Sequence, residues 1–124
     1  MKKLIAKHVS AAESGGEYFQ VMFETDRDSD KNYFLIQRAF ESEWDEFEDA
    51  KPDPPYIESD DMTFCGFLAI KKVEFGRNRF YIQLANKQKT DLEISFDISN
   101  KAYQKVKKTL KTILSGYDFA KIEK

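Results

Sequence analysis

The sequence predicts an α+β domain, a curved antiparallel sheet of about six or seven strands with one C-terminal amphipathic helix packed on it. Two patterns carry this prediction. Apolar residues alternate with polar ones at Phe80, Ile82, Leu84 and again at Leu92, Ile94, Phe96, the period of half-buried strands. Further on, Ala102, Tyr103, Val106, Leu110, Ile113, Leu114 and Tyr117 recur at steps of three and four, the period of a helix with one apolar stripe. A third observation sets the scale. The 124 residues are 41% hydrophobic and 34% charged, enough for one domain, residues 1–124, that removes roughly 65% of its unfolded surface from water.

Taken in order, Leu4 to Ser10 reads as a first strand with Ile5 and Val9 on one face, and its lysines suit an edge position. Ser14-Gly15-Gly16 marks a turn. Glu17 to Thr25 then places Phe19, Val21 and Phe23 opposite Gln20 and Glu24. After a polar loop, Tyr33 to Phe40 is apolar on both faces, which predicts a central strand. The stretch from Glu41 to Pro55 reads as an excursion. Trp44 and Phe47 could share a helical turn, but Pro52, Pro54 and Pro55 end it. Tyr56-Ile57-Glu58 rejoins the sheet, and Phe64 to Phe75 starts a meander. Gly76-Arg77-Asn78 is expected to turn the hairpin with positive φ. Ser99 caps the helix, Gly116 takes the left-handed position after it, and Asp118 to Lys124 is a frayed tail.

The single cysteine, Cys65, allows no internal disulfide, and the first residues lack the apolar run of a signal peptide or a membrane span. The expected location is the cytoplasm. A Cys65–His8 nucleophile pair lacks an activating context, and a zinc site would need more Cys and His than the chain has. Asp26, Asp28 and Asp30 open like a calcium loop, but Lys31 stands where glycine belongs and Gln37 where glutamate belongs. No catalytic, metal or cofactor residue is assigned, and the chain is read as a non-enzyme.

Charge is the informative feature. Between Glu41 and Asp61 ten acids meet one base, Lys51, a net −9, while the remaining twelve acids and nineteen bases give +7. The acidic segment interleaves its carboxylates with large side chains. Glu43, Asp45, Glu46, Glu48 and Asp49 would steer a basic partner, and Trp44, Phe47 and Tyr56 would fill its pockets. The competing reading has Trp44 and Phe47 in the core. The lysine-rich helix could meet nucleic acid, although a pI of about 5.5 weighs against it.

A particular succession of segments also carries a family likeness. Asn32-Tyr33-Phe34-Leu35-Ile36-Gln37-Arg38, an acidic insertion, the Tyr56-Ile57-Glu58 strand, the glycine of Phe64-Cys65-Gly66-Phe67, the Val73 to Leu84 hairpin, the Leu92 to Asp97 strand and a closing amphipathic helix follow in that order. Over roughly Glu17 to Leu114 this resembles the tenth family of immunity proteins of bacterial polymorphic toxin systems. The resemblance implies a small cytoplasmic protein that binds the effector domain of a cognate secreted toxin and spares the producing cell. It adds no cofactor and no membrane contact. Gln37 and Arg38 match the family pattern and are read as structural, Arg38 pairing with a carboxylate at the sheet's end. An unpaired edge would admit a homodimer. The alternative function is a non-enzymatic adaptor or regulatory module that binds nucleic acid through the helix lysines.

Overall fold

The structure is a computed structural model that describes residues 2–14, 18–25, 32–39, 55–88, 90–115, 117 and 119–122, with the side chains of 13, 14 and 39 excepted. Nine strands and one helix occur among them: β1 Lys2–Ala6, β2 His8–Ser14, β3 Tyr18–Glu24, β4 Tyr33–Ala39, β5 Tyr56–Ser59, β6 Ile70–Gly76, β7 Arg79–Leu84, β8 Asp91–Phe96, α1 Asn100–Ile113 and β9 Ala120–Ile122. The class is α+β, as the alternation and the helical stripe predict. The strands, however, form two sheets, ordered β1-β8-β7-β6-β9 and β2-β3-β4-β5, rather than one.

The dimensions of helix and sheet explain the division. A 14-residue helix is about 21 Å long and 10 Å wide, whereas seven strands at about 4.8 Å spacing present a face roughly 30 Å across. One helix cannot cover that face, so a second sheet covers part of it. Alternation in β7 and β8 puts Phe80, Ile82, Leu84, Leu92, Ile94 and Phe96 inward, and all six are buried. Paired registers carry one row, Leu4–Ile94–Phe80–Phe75–Ile122, across all five strands of the larger sheet. The smaller sheet contributes the buried row Ala11–Val21–Ile36–Ile57. Aromatic rings join the sheets, since the Phe80 centroid lies 4.9 Å from Phe23 and 5.5 Å from Phe34.

Helix α1 lies against β2, β3 and β4, and its Tyr103 stacks on Phe75 of the larger sheet at 5.5 Å. Ser99 caps it as the sequence indicates, its Oγ accepting from the Ala102 N–H at 3.1 Å. Gly116, expected just beyond the helix, lies outside the described residues.

Four expectations are corrected. The first strand is two strands, because the chain passes from one sheet to the facing one at Lys7. Inward and outward exchange at that crossing, so Ile5 is 72% exposed while Val9 packs on the core. The tail after α1 is not frayed, for β9 pairs in parallel with the free edge of β6. Together with the parallel pair β1 and β8, this makes the larger sheet mixed. Finally, the turn between β6 and β7 uses no positive φ: among the described residues only Asn32 (φ 56°) and Gly66 (φ 117°) adopt one. Asn78 serves the turn differently, with its carbonyl accepting from the Phe96 N–H at 3.1 Å and its side-chain amide donating to the Phe96 carbonyl at 3.4 Å. β4 is central as predicted, flanked by β3 and β5, with Phe34, Ile36 and, on the other face, Leu35 all buried.

Candidate binding surface

The surface is built on β5, the last strand of the smaller sheet. Its inner side pairs with β4, and its outer side is held at one point, where Ile57 and Gly66 exchange backbone hydrogen bonds of 3.1 and 2.8 Å. Gly66 makes that approach at φ 117°, a backbone geometry side chains rarely tolerate. Beyond it Phe67 is turned to solvent, 67% exposed, with its ring 5.4 Å from that of Tyr56. At the other end of β5 a 3₁₀ turn, Met62–Phe64, buries Phe64 and leaves Met62 81% exposed. Two large apolar side chains therefore flank the strand, with Tyr56 half-buried between them and the core.

Carboxylates lie in the strand and at the start of the turn. On the outer face of the sheet Glu58 accepts hydrogen bonds from the Tyr33 hydroxyl at 2.9 Å and the Tyr56 hydroxyl at 3.0 Å. Burial, helped by the bond to Glu58, pushes Tyr33 up to about 12. The bond to Glu58, with burial behind it, also raises Tyr56. Asp61 caps the 3₁₀ turn, its Oδ1 accepting from the Thr63 N–H at 3.0 Å. That backbone bond first, then the Thr63 side chain and the nearby Lys2, hold its carboxyl below the usual range. Lys2 Nζ stands 3.5 Å from Asp61 and 3.9 Å from Asp60, tying β1 to the turn. Ser59 is buried and satisfied, its hydroxyl donating to the Asp61 carbonyl and accepting from the Asp61 N–H, both at 2.9 Å.

Chemically the surface offers exposed apolar side chains and oriented acceptors. Phenylalanine, methionine and tyrosine are side chains that anchor protein interfaces, and a carboxylate rim favours a basic partner. Of the residues the sequence nominates, Tyr56 sits in it. Glu43, Trp44, Asp45, Glu46, Phe47, Glu48 and Asp49 lie outside the described residues, as do Asp26, Asp28 and Asp30. Sequence reasoning missed Tyr33, Met62 and Phe67. Phe67 belonged to an apolar run that looked like strand, and its only outward signal was the adjacent glycine.

Cys65 and His8 are not brought together. His8 lies on β2 and Cys65 beside β5, the opposite edges of a four-stranded sheet, about 14 Å apart across the strands. The Cys65 thiol donates to the Ser59 carbonyl at 3.2 Å. Arg38 has the structural role expected of it, but with other partners. Its guanidinium donates to the carbonyls of Ser115 at 2.7 Å and Ile113 at 3.4 Å and lies 5.6 Å from the centre of the Tyr117 ring. It closes the C-terminal end of α1, where unsatisfied carbonyls attract a cation.

Among the described residues no helix is long and apolar enough to cross a membrane. Comparison with protein-family profiles, with curated proteins and with solved structures found no match to this chain.

Proposed function

We propose that this protein is a non-enzymatic immunity protein that binds a cognate toxin domain and blocks it by steric and electrostatic occlusion. The observation that carries the reading is exposed Phe67 beside Tyr56, with exposed Met62 at the other end of β5 and Glu58, Asp60 and Asp61 in and just after that strand. This surface includes the last residues of the acidic segment, Tyr56 to Asp61. Glu43, Asp45, Glu46, Glu48 and Asp49 would extend the negative rim, and Trp44 and Phe47 would add anchors. An inhibitor of this kind works in the cytoplasm of the producing cell and needs area and complementarity rather than reacting groups.

The test is calorimetric titration with the C-terminal domain of a secreted protein encoded beside this gene. Wild type is compared with Phe67→Ala, with Tyr56→Ala, and with Trp44→Ala combined with Glu46→Lys. Nanomolar binding is expected, weakened at least thirtyfold by loss of a central anchor, which is about 2 kcal/mol. Tight binding that none of these substitutions changes would place the interface elsewhere. No heat with any neighbour-encoded domain would remove the proposal.

A further inference from the structure

The geometry points to a second surface of opposite sign, a helix face that binds the phosphate backbone of duplex nucleic acid. Helix α1 contains five lysines and no acid. Lys101, Lys105, Lys108 and Lys111 are all exposed, and at 100° per residue they fall on one stripe that runs about 15 Å along the helix. Among the described residues no carboxylate pairs with any of them.

The fifth cation, Lys107, is positioned rather than free. Its Nζ lies 5.8 Å from the centre of the Tyr103 ring, and Tyr103 is itself stacked on Phe75. With Lys108 and Lys111 it lines an open depression of about 380 Å³ that Gln104 and Thr112 complete. Three ammonium groups and an amide around one depression form a set of hydrogen-bond donors suited to phosphate oxygens.

What lies between the lysines selects the partner. Gln104, Thr112 and Ser115 are the other exposed groups there, so the stripe offers an acidic protein no apolar anchor. It also offers no aromatic platform for unstacked bases, since Tyr103 is buried. A rigid line of cations without anchor or platform suits a uniformly charged rod, which duplex DNA is, with one charge per about 1.7 Å of axis. Contact would be independent of base sequence.

The experiment is fluorescence anisotropy of a labelled 20-base-pair duplex titrated with the full chain between 50 and 200 mM salt. Four phosphate contacts predict a log–log salt slope of about −3.6. Lys105→Glu with Lys108→Glu should lower affinity at least tenfold at the lowest salt, with circular dichroism unchanged because both side chains are exposed. Lys105→Gln with Lys108→Gln should lower it less. Absence of binding at 50 mM salt would overturn the inference, as would binding indifferent to both double variants. Tighter binding of polyglutamate than of the duplex would assign the face to an acidic polypeptide instead. The toxin titration concerns a different surface, so the two proposals stand or fall separately.

Discussion

Replacing Arg38 by methionine tests whether the link between β4 and the end of α1 matters energetically. The guanidinium makes one good hydrogen bond, 2.7 Å to the Ser115 carbonyl, and two longer ones of 3.4 Å to Ile113 and 3.5 Å to Thr112, all from Nη1. A hydrogen bond from a charged donor contributes about 1.5–3 kcal/mol when shielded. This pair is partly open to solvent, which takes the value to the low end, about 1.5 kcal/mol. The favourable position of a cation at a helix C-terminus adds about 0.5 kcal/mol. Methionine keeps much of the length and apolar stem, so the loss of about 2 kcal/mol reports the charge and its bonds. For a domain of this size that is a fall in Tm of roughly 8 °C. Urea denaturation followed by circular dichroism should show a lower midpoint with an unchanged slope. Arg38→Lys should recover about half or more, because the bonds to the helix end all come from one nitrogen, Nη1, whose place an ammonium can take, while the guanidinium's contact with the Tyr117 ring is lost. A loss below 0.5 kcal/mol for Arg38→Met would refute the idea that Arg38 closes the helix.

Phe80→Ala removes the ring shared by both sheets, which is fully buried and in contact with Phe23 and Phe34, and should cost about 3–5 kcal/mol in the same denaturation experiment. Gly66→Ala meets no atom within 4 Å, so its cost of about 1–2 kcal/mol comes from φ 117° alone and should be seen as well at Gly66→Ser. Tyr33 predicts an alkaline limb. Its folded value of about 12 exceeds the ordinary 10.0, so the folded state holds the proton more tightly, and its contribution is complete below pH 10 and is lost as pH rises toward 12. Tyr33→Phe should make the fall in stability over that interval shallower without abolishing it, since Tyr56 and Tyr81 are raised as well, measured against the wild type at pH 9, 10 and 11. Equal slopes in the two proteins would exclude Tyr33 as the source.

The same residues show why part of this molecule was legible in one dimension. Strands β3, β7 and β8 and helix α1 each carry their own period, because each buries one face against whatever lies opposite. Ser99 caps its helix through a contact three residues away, and local chemistry suffices for that. Of the candidate surface, Tyr56 was nominated by the acidic and aromatic composition around it, and the rest of that segment lies outside the described residues. Phe67 and Met62 could not be told from core, since an exposed apolar side chain looks like a buried one until its neighbours are placed.

By itself, then, the sequence determined the α+β class, the meander β6 to β8, the central place of β4, the amphipathic helix and the separation of charge. Tertiary structure decided what depends on distant partners. That Ile5 faces water while Val9 faces the core follows from the chain changing sheets at Lys7. That residues 120–122 form a strand follows from the edge of β6 being open to them. That Arg38 meets helix carbonyls follows from β4 ending beside the C-terminus of α1. In each case the physical cause is a hydrogen bond or a burial between groups far apart in the chain, and neither leaves a period in the sequence.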